Sequence, residues 1–187
     1  MPEGTVVGTS SLRRKAQLLH KRPDLEIVEF RGNVQTRLRK LEDQIAVGTF
    51  LAMAGLRRLS LSELPATAIE PDDMLPAVAQ GAIGIERRSD DIRAADMLVA
   101  ICHTDTVARL AAERAFLEAL DGSCQTPIAG LAELDGGMLR LRGEILRTDG
   151  SEAHSDQREG PVEDGPEMGR ELANALLGKA GPGFLHH

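Results

Sequence analysis

Leu25-Glu26-Ile27-Val28-Glu29-Phe30-Arg31-Gly32-Asn33-Val34-Gln35-Thr36-Arg37-Leu38-Arg39-Lys40-Leu41 changes its hydrophobic period across a three-residue turn. Alternation through Phe30 predicts a strand, Arg31-Gly32-Asn33 makes the turn, and Val34 onward predicts a helix. The same transition occurs upstream. Thr5 to Val7 reads as a short buried strand ending at Gly8, and Thr9-Ser10-Ser11 offers capping hydroxyls ahead of a helix over Leu12 to Leu19. Strands alternating with helices imply a parallel sheet. Downstream, Ile45 to Leu56 reads as a buried strand leading into the helical stretch Met53 to Leu59, and Pro65 and Pro71-Asp72 mark a loop. Met74 to Glu86 combines a Gly-flanked turn with a short apolar strand expected to cross between lobes.

Past Asp105 the organisation changes. Val107, Leu110, Ala111, Leu117 and Leu120 recur at helical spacing from Thr104 to Leu120, and Gly122 stands where a C-terminal glycine cap is expected. Strands follow near Ile128 to Leu134 and Met138 to Ile145, joined at Asp135-Gly136-Gly137, and a last helix near Pro166 to Leu177. This half reads as a small α+β domain.

Composition sets the class. The chain has 187 residues, 42% hydrophobic and 27% charged, the profile of a folded, soluble protein with a sizeable core. It has no apolar run of membrane-spanning length and no secretory pattern at its start, so a cytoplasmic location is the expectation. Two cysteines build neither a disulfide scaffold nor a metal finger, and no metal site is expected, the His186-His187 pair included. There is no Walker loop, no GxGxxG fingerprint and no internal repeat.

Charge is unevenly distributed. Of 22 Lys+Arg and 29 Asp+Glu, residues 1–58 hold 11 basic against 6 acidic, leaving 11 against 23 in the remainder. A basic half suggests an anionic partner. With no Trp, no Tyr and four Phe, the chain lacks the stacking aromatics of a nucleic-acid surface, so a small anion fits better. Both strand-to-helix turns supply the chemistry: free amides and a positive dipole end at each helix start, with Arg13, Arg14, Arg31 and Arg37 able to fork onto carboxylates. A cleft for a polycarboxylate follows. His20 reads as a helix-end residue. Cys124, in Leu120-Asp121-Gly122-Ser123-Cys124-Gln125-Thr126-Pro127, follows a helix on a tight turn that exposes a thiol. A free structural cysteine, a nucleophile, a metal ligand and a covalent attachment point are all open to it.

Six motifs, in order, resemble the hydroxymethylbilane synthase (porphobilinogen deaminase) family. They are Gly8-Thr9-Ser10-Ser11-Leu12-Arg13-Arg14, Phe30-Arg31-Gly32-Asn33-Val34-Gln35-Thr36-Arg37-Leu38, Ala54-Gly55-Leu56-Arg57-Arg58-Leu59, Leu75-Pro76-Ala77-Val78-Ala79-Gln80-Gly81-Ala82-Ile83-Gly84, Ala112-Glu113-Arg114-Ala115-Phe116 and Gly122-Ser123-Cys124-Gln125-Thr126-Pro127-Ile128. The resemblance runs from about Thr5 to the last helix. It implies a transferase of tetrapyrrole (haem, porphyrin) biosynthesis that condenses four porphobilinogen molecules head to tail into hydroxymethylbilane and releases ammonia at each step. It implies a dipyrromethane cofactor, held by a thioether at the position of Cys124, to which the growing oligopyrrole stays attached. Thr9, Ser10, Ser11, Arg13, Arg14, Arg31, Gly32 and Gln80 match cofactor-binding positions, and Arg13, Arg31, Arg37 and Arg58 match positions that hold substrate acetate and propionate groups.

The resemblance also implies a fold: an α/β, periplasmic-binding-protein-like parallel-sheet lobe over 1–81, a crossing segment over 82–101, and an α+β C-terminal domain over 102–187 carrying the cysteine. The family has a further N-terminal lobe of roughly one hundred residues, the size of a single domain, which holds the acid/base aspartate. Met1 stands after it, so no acid/base residue is expected in this chain, and turnover by the chain alone is not expected. Unpaired apolar surface near Ala82 to Glu86 would favour self-association, although the full-length family is monomeric. Two departures stand out. Ser123 replaces a usual second glycine, and Asp43 to Gly48 lacks the acidic residue common before its strand. Two other classes compete: a module that binds an organic anion without chemistry, and an inactive interaction fragment. No nucleic-acid or membrane partner is expected.

Overall fold

The computed structural model describes residues 1–61, 63–123 and 125–185. The N-terminal half holds β1 (Val6–Gly8), α1 (Leu12–Lys21), β2 (Glu26–Val28), α2 (Val34–Glu42), β3 (Gly48–Thr49) and α3 (Met53–Arg58). Its strands form a parallel sheet ordered β2-β1-β3, as alternation with helices dictates. Ser11 caps α1 by accepting from the Arg14 amide, and Asn33 caps α2 by accepting from that of Thr36. Val7, Ala16, Leu25, Phe30, Ala46 and Leu56 are buried. Phe30 lies so close to β1 that a Cβ on Gly8 would stand 2.4 Å from its ring. Glycine ends β1 because the ring occupies that space.

α4 (Ile92–Val99) and α5 (Thr104–Ala119) lead into an antiparallel sheet of β4 (Ile128–Asp135), β5 (Met138–Leu146) and β6 (Ala153–Pro161), closed by α6 (Gly165–Ala180). The main core lies between this sheet and α5 and α6, built from Phe116, Leu139, Leu141, Ile145, Leu172 and Leu176. Glycines permit the closest approaches. A Cβ on Gly169 would meet the Ala112 carbonyl at 2.5 Å and the Phe116 amide nitrogen at 2.8 Å, so α6 lies backbone against backbone on α5. The half is α+β, as its pattern predicts, and no helix among the described residues is long and apolar enough to cross a membrane.

Three expectations need correction. The buried strand over Ile45 to Leu56 shrinks to Gly48–Thr49, with Ile45 exposed and Val47 75% exposed. α2 ends in a Schellman motif there: the Gln44 amide donates to the Leu41 carbonyl and that of Ile45 to Lys40, so the apolar residues serve a turn. The strand near Ala82 to Glu86 is absent: Ile83 is 93% exposed and residues 83–89 carry no regular structure. The cap of α5 is also displaced. Asp121, at φ +51°, takes the left-handed position, and the Gly122 amide closes the motif on the Leu117 carbonyl. A Cβ on Gly122 would stand 2.5 Å from Ile128 Cδ1, so a larger residue there would have to shift that side chain.

Candidate functional site

The turns after β1 and β2 bring two helix starts together. The Thr9 amide donates to the Val28 carbonyl at 3.0 Å, which holds the hydroxyl stretch beside β2, and Thr9 Oγ1 accepts from the Ser11 amide at 3.2 Å. Arg37, one turn into α2, donates from Nη2 to Ser10 Oγ at 3.3 Å and from Nε to the Gly32 carbonyl at 3.0 Å. Gly32 has φ +117°, a conformation that L side chains rarely adopt. Arg14 lies over the Phe50 ring at 5.8 Å. Burial lowers the Arg14 pKa, and the neighbouring Arg37 charge lowers it further. Among the described residues, Arg13, Arg14 and Arg37 form no ion pair with any carboxylate. The helix starts therefore carry uncompensated positive charge.

Arg13 is turned inward and only 7% exposed. Its Nη1 donates to the Leu75 carbonyl at 2.6 Å and to Gln17 Oε1 at 3.1 Å, and its Nη2 to Gln80 Oε1 at 3.2 Å. Its buried Nε has no protein partner. Burial is the main cause that pushes its pKa down to about 10, joined by Arg14 and opposed by Glu144. It stays charged at neutral pH. Gln17 extends the network by donating from Nε2 to the Leu75 carbonyl at 3.1 Å and to Glu144 Oε2 on β5 at 2.5 Å.

Other expected residues stand apart. Arg31 is exposed and pairs with Glu29 at 2.7 Å, so it does not join the cluster. Arg58 is exposed at the end of α3. His20 is in the last turn of α1, its Nδ1 2.9 Å from the Gly150 carbonyl. Cys124 lies outside the described residues. Beside it, the Ser123 amide donates to Thr126 Oγ1 and that hydroxyl donates back to the Ser123 carbonyl, both at 2.8 Å. A cavity of about 440 Å³ opens between α1 and β5–β6, lined by Gln17, Lys21, Asp72, Arg142 and Glu144 among others. None of the sequence-predicted site residues lines it, and its acidic rim suits an anion poorly.

Comparison with known proteins bears on what such a cluster serves. Residues 1–96 match the family model described as porphobilinogen deaminase, dipyromethane cofactor binding domain, and residues 107–178 match porphobilinogen deaminase, C-terminal domain. The chain belongs to the porphobilinogen deaminase family. It is 64% identical over 185 residues to a porphobilinogen deaminase of Paracoccus denitrificans (strain Pd 1222), covering 99% of this chain and 59% of that protein. It is 48% identical over 190 residues to a chloroplastic porphobilinogen deaminase of Pisum sativum, covering all of this chain and 52% of that protein. The chain thus spans between half and three fifths of these relatives' length.

The family model describes a dipyromethane cofactor binding domain, and the guanidinium and hydroxyl donors of this cluster suit an anionic group. The Arg13 fork is taken up by the Leu75 carbonyl, Gln17 and Gln80, and Arg37 by Gly32, Phe50 and Ser10, whereas among the described residues the Arg14 guanidinium and the Ser10 and Ser11 hydroxyls donate to no protein acceptor. Sequence reasoning missed several members. Phe50 follows a strand of two residues, too short to show alternation. Gln17 and the Leu75 carbonyl act through a contact between residues 58 apart. Glu113 is 5% exposed, and in sequence it stands only as one residue of the Ala112 to Phe116 motif and as a carboxylate among the small apolar residues Ala111, Ala112 and Ala115 of α5, neither of which gives it a partner.

Proposed function

We propose that this chain is the cofactor- and carboxylate-binding portion of a porphobilinogen deaminase, active in tetrapyrrole biosynthesis in the cytoplasm. The reaction condenses four porphobilinogen molecules head to tail to hydroxymethylbilane with loss of ammonia. The observation that carries this reading is the set of three arginines at two helix starts, none of them paired with a carboxylate among the described residues.

In this reading Thr9, Ser10, Ser11, Arg13, Arg14, Arg31, Gly32 and Gln80 hold a dipyrromethane attached through Cys124, which when bound supplies the pyrrole carbon that primes the chain. Arg13, Arg31, Arg37 and Arg58 hold substrate acetate and propionate groups. Guanidinium forks fix each carboxylate by two parallel bonds and so orient the pyrrole ring. Burial of Arg13 strengthens its hold, because little water competes there. Pyrrole condensation also requires a proton donor and acceptor. In this reading proton transfer falls to the acid/base aspartate that the resemblance places in the family's further lobe, and Glu29 is engaged by Arg31. The N-terminal lobe is read as periplasmic-binding-protein-like over 1–81, with 82–101 crossing to a further lobe and 102–187 as the cysteine-bearing domain.

Intact mass of the purified chain tests the proposal. Two linked pyrrole units should be added to the expected mass and be absent from Cys124→Ser. An unmodified chain that also fails to take up porphobilinogen would refute it.

A further inference from the structure

Glu113 is a buried carboxylate that no step of the proposed chemistry uses, and its two oxygens reach two different elements. Oε2 accepts from the Ala79 amide at 2.6 Å and Oε1 from the Ala132 amide on β4 at 2.8 Å. Burial of a carboxylate in a core is costly unless its acceptors are filled, and here both are filled by backbone N–H groups. Ala79 is held at φ +59°, a left-handed conformation rare for a residue with a Cβ. That conformation turns the chain so that the Gln80 amide closes on the Ala77 carbonyl at 3.0 Å and its Oε1 faces Arg13 Nη2 at 3.2 Å. The same loop is fastened once more to β4, where the Gly130 amide donates to the Pro76 carbonyl at 2.9 Å.

From this chain of contacts we infer that Glu113 is a positioning residue for the anion site, setting Arg13 through Ala79 and Gln80. It also ties that site to the C-terminal domain. β4 starts at Ile128, directly after the segment that holds Cys124, so one carboxylate couples that strand to the arginine of the other half. The inference rests on the anion-binding function proposed above.

A double-mutant cycle on the full chain tests it, with porphobilinogen as the probe. Glu113→Gln keeps the size of the side chain but offers one acceptor oxygen and sets an amide group against one backbone N–H. Because a hydrogen bond to a charged group is lost, Glu113→Gln should weaken binding about tenfold. Gln80→Ala should weaken it too, and the double variant should bind no more weakly than the weaker single one, because both act through one route. Effects that multiply, or a Glu113→Gln chain that binds like the parent, would overturn the inference. Should Glu113→Gln fail to fold, Ala79→Gly relaxes the same turn without removing a buried group; weakened binding by a folded Ala79→Gly chain supports the inference and unchanged binding overturns it. The Arg13 Nε–H nuclear magnetic resonance signal of the ligand-free chain separates the two readings. If the parent does not bind porphobilinogen the proposed function fails, while a shift of that signal in Glu113→Gln still supports positioning and an unmoved signal overturns it.

Discussion

Glu113 and Arg13 carry opposite charges into the interior, and each is retained by hydrogen bonds in place of an ion pair. Burial raises the Glu113 pKa above its ordinary value of 4.5, against the pull of the Ala132 and Ala79 amides and of Arg109. The folded chain therefore takes up this proton at a higher pH than the unfolded chain does. Stability from that proton is fully present below the unfolded value and is lost as pH rises through the folded one. Denaturant midpoints of the parent and Glu113→Gln, measured from pH 7 down to pH 5, should show the parent gaining relative to the variant. Parallel profiles would mean that burial does not perturb this carboxyl.

Among the elements, glycines on one helix make opposite predictions. Gly169 has backbone within 3 Å of where a Cβ would stand, whereas Gly178 has open space. Gly178→Ala should stabilise by about 0.5–1 kcal/mol through helix propensity. Gly169→Ala gains the same propensity yet should lose a net 1–3 kcal/mol, roughly the cost of overpacking a rigid contact. Thermal unfolding of the pair checks both. Elements whose pattern carries their environment were legible: β4 and β5 alternate against the core, and α1 and α2 announce themselves by caps at Ser11 and Asn33. β6 was not legible, because its inward positions are polar. His154 meets Phe184 edge-on at 5.2 Å, and Asp156 pairs with Lys179 at 2.8 Å, so tertiary partners take the place of an apolar stripe. α2, α3 and α5 all end with Gln44, Ser60 and Asp121 in left-handed conformations where glycine is the usual stop signal. In the site, Ser10, Arg14 and Arg37 were readable from helix-start chemistry, whereas Gln17, Phe50 and Glu113 act through contacts that only the tertiary fold creates.

At the scale of the whole molecule, Ile83, Ile85, Ile92, Met97, Val99 and Ile101 are all exposed within twenty residues of chain. So much apolar surface in one stretch favours association. Light scattering should show a mass that rises with concentration, and Ile83→Lys with Met97→Lys should abolish the rise. A monomer at every concentration would show that this surface is tolerated in water.

The loop from Leu75 to Gln80 is gripped by Arg13 on one side and by Glu113 and Gly130 on the other, while Arg87 and Arg88 lie exposed beyond it. Trypsin should therefore cleave first at this pair. Because the grip spans the cut, the two pieces should separate under denaturing electrophoresis yet leave a sizing column as a single peak.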